Sequence, residues 1–128
     1  MIIIGNGVDI VENRRIFISI KNNKFVNRIF STQEIRDSKS YINKANFYAK
    51  RFAAKEAFLK ALGTGLRGGI EFKDISVKKN KMGKPTLVLS NKLKKIIFKK
   101  FKTKKIEAHV SLSDEKKHSI AFVILNTK

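Results

Sequence analysis

The sequence predicts an α+β fold, and three observations carry that expectation. Short β-branched runs open and close the chain, and apolar residues at helical spacing fill its middle. Strands and helices then mix without the regular alternation of a doubly wound sheet. The 128 residues suit one domain over 1–128. Ten Phe and a hydrophobic share of 42% can supply a core, although 29 Lys+Arg against 10 Asp+Glu give a formal charge of +19.

The elements follow in order. Ile2-Ile3-Ile4 and Val8-Asp9-Ile10-Val11, interrupted by Gly5 and Gly7, read as a first strand with a bend, placed centrally in its sheet. Residues 14–28 read as one or two short helices. Ile16, Ile20, Phe25, Ile29 and Phe30 form or flank the apolar underside, and Arg14, Arg15, Lys21, Lys24 and Arg28 make the outer side wholly positive. Ser31 with Glu34 three residues on forms a capping box for the next helix. Residues 41–62 make the strongest helix, stopped by Gly63. Ile75-Ser76-Val77-Lys78 and Thr86-Leu87-Val88-Leu89 alternate as a hairpin around Gly83-Lys84-Pro85. Residues 91–102 form a helix with Leu93, Ile96, Ile97 and Phe101 on its buried stripe. Residues 109–113 and 120–125 are the last strands.

Composition excludes several chemistries. Without Cys there are no disulfides, thiolate metal sites or Cys nucleophiles, and a reducing cytoplasm is the expected setting. No apolar run is long enough to span a membrane, and the N-terminus has no signal-peptide pattern. A surface this positive attracts phosphates, acidic proteins or anionic membranes, and repels cationic ligands.

Two acids stand out. Asp9 lies between Val8 and Ile10, where an unpaired buried carboxylate would cost several kcal/mol. An alternating strand that turns Asp9 to water is the equally weighted alternative. Glu56 is the only acid between Tyr41 and Ile70. It reads either as an ordinary surface partner of Lys60 or as part of a metal–phosphate site, with the carboxylate on Mg²⁺ and Lys55 and Lys60 on phosphates. Gly63-Thr64-Gly65 is a weak phosphate cradle and a better helix stop. His109 and His118 are too few for a His-rich metal site. The eight lysines between 92 and 105 read as a solvated face.

Gly7-Val8-Asp9-Ile10-Val11-Glu12, the run from Arg51 through Ala53-Ala54-Lys55-Glu56-Ala57-Phe58 to Gly65, and His109-Val110-Ser111-Leu112-Ser113 resemble the holo-acyl-carrier-protein synthases. These are the short trimeric 4′-phosphopantetheinyl transferases. The resemblance spans nearly the whole chain. It implies the 4′-phosphopantetheinyl transferase fold, an antiparallel sheet packed against one long helix and shorter ones. It also implies Mg²⁺-dependent transfer of 4′-phosphopantetheine from coenzyme A to a serine of apo acyl carrier protein, releasing adenosine 3′,5′-bisphosphate, in fatty acid biosynthesis.

By the same resemblance Asp9 and Glu56 are the Mg²⁺ ligands, and Glu56 and Lys60 serve catalysis, with Glu56 or a metal-bound water as the base. Arg51, Lys60, Gly63, Thr64, Gly65, Gly83, Lys84, Pro85 and His109 contact coenzyme A. Arg15, Lys24 and Arg28 dock the acidic carrier protein. A homotrimer with active sites between subunits is implied. The rival class, a nucleic-acid-binding module, would need stacking aromatics on its basic face. Here most Phe sit at core-like spacings and Trp is absent, so neither nucleic acid nor membrane is an expected partner.

Overall fold

The computed structural model describes residues 1–128. Strand β1 (Ile3–Glu12) leads into three short helices, α1 (Asn13–Ser19), α2 (Asn23–Ile29) and α3 (Thr32–Ser38), and then the long α4 (Lys44–Leu62). Two 3₁₀ turns, Arg67–Gly69 and Phe72–Asp74, precede the hairpin β2 (Ile75–Lys79) and β3 (Pro85–Leu89). Helix α5 (Asn91–Phe101) and strands β4 (Ile106–Asp114) and β5 (His118–Thr127) complete the chain. The strands make two antiparallel sheets, ordered β1-β5-β4 and β2-β3.

The α+β expectation holds, with one correction of place. Strand β1 lies at an edge, and β5 is central. β4 and β5 are joined by a tight turn and pair as a hairpin, and β1 adds to the free side of β5. The bend foreseen at the glycines is a register shift between Ile3 and Gly5.

Alternation in β1 runs opposite to what its apolar residues suggest. Gly7 and Val11 turn inward and are buried, whereas Val8 and Ile10 are 54% and 60% exposed. The two inward glycines have a steric reason. A Cβ on Gly5 would lie 2.1 Å from the Ala61 carbonyl oxygen, and one on Gly7 would lie 2.0 Å from that of Ala57. Backbone therefore packs on backbone where β1 crosses α4, and Asp9 follows on the same inward side.

Helix α4 starts later than its apolar pattern suggests. Asn43 caps it by accepting from the Asn46 N–H at 3.0 Å. Gly63 ends it at φ 79°, the left-handed value that favours glycine. Buried side chains lie nearly all round α4, among them Phe47, Phe52, Ala54 and Phe58. The helix is therefore the centre of the core, and its apolar spacing marks more than one face. The capping box of α3 forms as predicted, with Ser31 Oγ accepting from the Glu34 N–H and Glu34 accepting from the Ser31 N–H. Helix α5 buries Leu93 and Ile97 and is capped by Ser90. Asn13 fastens the start of α1 to the β4–β5 turn by donating to the Glu115 and Lys116 carbonyls.

Candidate functional site

The close β1–α4 crossing brings the two singled-out acids together. Lys60 Nζ donates to Asp9 Oδ1 at 3.1 Å and to the Val8 carbonyl at 2.9 Å. The Asp9 side chain is mostly covered, which decides against an acid simply turned to water. Lys60 thus pairs across to β1 instead of with Glu56 one turn before it. Burial pushes the Glu56 carboxyl above its ordinary value, and the Asp9 charge pushes it the same way, against the pull of Lys60 and Arg15. Two carboxylates that repel each other through partly desolvated space want a cation between them. Two such hard oxygen donors fit Mg²⁺, which usually takes one or two carboxylates and fills its shell with water and phosphate. Glu56, Lys60, Gly63 and Gly65 line a cavity of about 390 Å³ with Leu59 and Phe72. Thr64 turns aside, and its hydroxyl donates to the Gly65 carbonyl.

Lys55 does not join them. Its ammonium is fully buried, donates to Glu34 Oε1 at 2.7 Å, and donates to the Phe72 and Ile75 carbonyls. Glu34 in turn accepts from the Val77 N–H at 3.0 Å. The expectation that Lys55 holds phosphate is therefore corrected. A lysine one residue from Glu56 points some 100° round the helix, and here that direction is the core. The only sequence signal was Glu34 itself, whose capping role concealed its second partner.

The remaining predicted residues gather elsewhere. Lys84, Pro85 and His109 line a second cavity of about 390 Å³, with Glu107, Ser111 and Phe122. Gly83 takes φ 84° in the turn that presents Lys84. Arg51 faces a third, smaller cavity with Tyr41, Lys78 and Lys79. Its guanidinium lies 3.5 Å from the Phe47 ring centroid and donates to the Phe47 carbonyl, while its buried Nε has no partner. Burial alone would raise the Tyr41 phenol, but Lys79 and Arg51 draw it below its ordinary value, a sign of a strongly positive pocket. Lys79 stands opposite Pro85 in the hairpin register, so the second and third cavities border the same hairpin. None of the three cavities shares a residue with another.

Arg15 is exposed on α1, close enough to Glu56 to act on its charge. Lys24 and Arg28 are exposed beside Ile18 and Phe25 around a cleft between α1 and α2. Asp114, on β4, accepts from Asn46 and pairs with Lys50.

Residues 5–123 match the family model described as the 4'-phosphopantetheinyl transferase superfamily. The holo-[acyl-carrier-protein] synthase of Pelagibacter ubique (strain HTCC1062) is 55% identical over 128 residues, covering 100% of both chains. The crystal structure of the Neisseria meningitidis synthase is 36% identical with a TM-score of 0.87, over 99% of this chain and 100% of that one. The Bacillus anthracis synthase, solved in complex with CoA (3',5'-ADP), is 34% identical with a TM-score of 0.82 over 100% of both. The sequence match and the full-length structural match agree: the chain belongs to the holo-[acyl-carrier-protein] synthase family, enzymes that transfer phosphopantetheine.

Proposed function

We propose that the chain acts over residues 1–128 as one transferase domain. It moves 4′-phosphopantetheine from coenzyme A to a serine of an apo acyl carrier protein in the cytoplasm, with Mg²⁺, and releases adenosine 3′,5′-bisphosphate. The holo carrier protein so made serves fatty acid biosynthesis. The observation that carries this reading is the meeting of Asp9, Glu56 and Lys60 at the β1–α4 crossing.

Asp9 and Glu56 would hold Mg²⁺, which when bound supplies charge neutralisation for the coenzyme A pyrophosphate. The serine hydroxyl attacks the β-phosphorus that carries pantetheine, and the bond to the α-phosphate oxygen breaks. Glu56, which lines the cavity, is the residue we assign to take the serine proton. Lys60 stands at the open side of the cavity with its ammonium half exposed, where it can meet the charge that grows on the leaving phosphate. Arg51, with its unpartnered Nε among Lys78 and Lys79, suits the 3′-phosphate. Gly83, Lys84 and Pro85 form the adenine-side loop, His109 contacts a coenzyme A phosphate, and Gly63 to Gly65 line the same cleft.

A homotrimer is supported by the outer face of the β1-β5-β4 sheet, where Val8, Ile10, Ile120 and Phe122 are all exposed. Phe122 also lines the His109 cavity, so a second copy seated on this face would reach that cavity. Sites shared between subunits then explain why the coenzyme-contact residues occupy separate cavities of one chain. Arg15, Lys24 and Arg28 form the docking field for the acidic carrier. The direct test is incubation with apo carrier protein, coenzyme A and Mg²⁺, followed by intact mass measurement. A gain of one phosphopantetheine mass is expected, and an unmodified carrier would overturn the reading.

A further inference from the structure

The outer face of β4 and β5 holds one buried polar side chain with no part in the chemistry above. Asn126 is 3% exposed, although it lies on the face that carries exposed Ile120 and Phe122. The register sets His109 opposite Ile124 and Glu107 opposite Asn126. His109 and Asn126 are therefore diagonal neighbours on one face. The His109 Nε2–H donates to Asn126 Oδ1 at 2.8 Å. Asn126 Nδ2 donates to the Thr127 carbonyl at 3.0 Å, which orients Oδ1 toward the ring. Glu107 Oε2 stands 3.9 Å from the same Nε2. Asn126 Oδ1 is thus the hydrogen-bond acceptor of this nitrogen, with the Glu107 charge beyond it, while the ring itself lines the cavity shared with Lys84 and Pro85.

We propose that Asn126 is a positioning residue for coenzyme A binding: it keeps a hydrogen on His109 Nε2 and leaves Nδ1 as the ring nitrogen that meets the ligand phosphate. The proposal rests on the reading of His109 as a phosphate contact. Whether the ring is neutral or cationic, Asn126 Oδ1 retains the Nε2 hydrogen, so a proton gained by the ring goes to Nδ1. An imidazolium Nδ1–H is the donor that a phosphate oxygen requires. Without Asn126 the ring can turn about its Cβ–Cγ bond, and the imidazolium Nδ1–H no longer aims at the phosphate.

Two measurements test this. Nitrogen-15 NMR of the histidine-labelled, unmodified protein should show the His109 hydrogen on Nε2, and an Nδ1–H neutral tautomer would overturn the proposal without any substitution. Steady-state kinetics of His109→Ala, Asn126→Ala and the double variant form a cycle. Each single change should raise the KM for coenzyme A about tenfold, the scale of one hydrogen bond to a charged group, with kcat within about twofold. The double variant should be no worse than His109→Ala, because Asn126 acts only through the ring. If His109→Ala raises KM while Asn126→Ala does not, or if the two effects add, the positioning role is wrong and the phosphate contact stands. An unchanged KM in His109→Ala removes both.

Discussion

A methyl group at position 7 would lie 2.0 Å from the Ala57 carbonyl oxygen, so this glycine is required by contact with a helix backbone. Gly7→Ala forces β1 off α4, and overpacking of this kind costs about 1–3 kcal/mol. Denaturant unfolding should show that loss. Activity should fall further than stability explains, because the same contact sets Asp9 beside Lys60. The two acids allow a cleaner separation. Asp9→Ala and Glu56→Ala should each reduce Mg²⁺-dependent labelling of apo carrier protein by about a hundredfold or more. Glu56→Gln should lose activity as well but keep or raise the melting temperature, because it removes a carboxylate that burial and Asp9 disfavour. A lowered melting temperature in Glu56→Gln would count against that account. Both acids were visible in sequence, Asp9 between apolar neighbours in a strand and Glu56 as an isolated acid beside Lys55 and Lys60. Their proximity was not, since 47 residues separate them and only the strand–helix crossing joins them.

At the scale of elements, the Glu34–Lys55 pair ties α3, α4 and the start of β2 into one unit. Lys55→Met would strand a fully buried carboxylate and should cost about 3–5 kcal/mol by chemical unfolding. The β2–β3 hairpin that it anchors carries Lys84 and Pro85, so coenzyme A binding should weaken in whatever folded protein remains. The turn before β2 depends on pH through Asp74. Burial pushes its carboxyl up. The Glu71 N–H, the Ser90 hydroxyl and Lys92 outweigh that and hold it below its ordinary value. A folded-state value below the unfolded one stabilises the protein above the ordinary carboxylate range, and the gain is lost as pH falls through the folded value. The melting temperature should therefore drop on acidification below about pH 4, and less so in Asp74→Asn. An equal drop in both proteins would show that other carboxylates govern it. Capping and hairpin chemistry made these elements legible, because Ser31, Glu34, Gly63 and Gly83 act on neighbours within a few residues. Lys55 was misread because a helical lysine is exposed or buried according to what packs on it, and that partner lies 21 residues away.

For the whole molecule, the exposed stripe of Val8, Ile10, Ile120 and Phe122 and the basic α1–α2 surface are separate features. Phe122→Glu should convert a trimer to monomers by light scattering and abolish labelling, while a monomeric wild-type protein would end the shared-site proposal. Arg15→Glu should raise the KM for carrier protein, increasingly so at low salt, and leave coenzyme A binding nearly intact. Equal loss of both would argue against a distinct docking surface.

By itself the sequence determined the α+β class, most element ends, the family motifs and which residues were candidates for the chemistry. These depend on local spacing, on turn and cap geometry, and on residue types that only certain reactions need. The tertiary structure decided that β1 is an edge strand, that Lys55 belongs to the core, that Asn126 meets His109, and that the residues expected to contact coenzyme A divide among separate cavities. Each of these is set by which distant segments touch. Period 2 and period 3.6 tell a side chain which way to face, but only packing determines what it finds there.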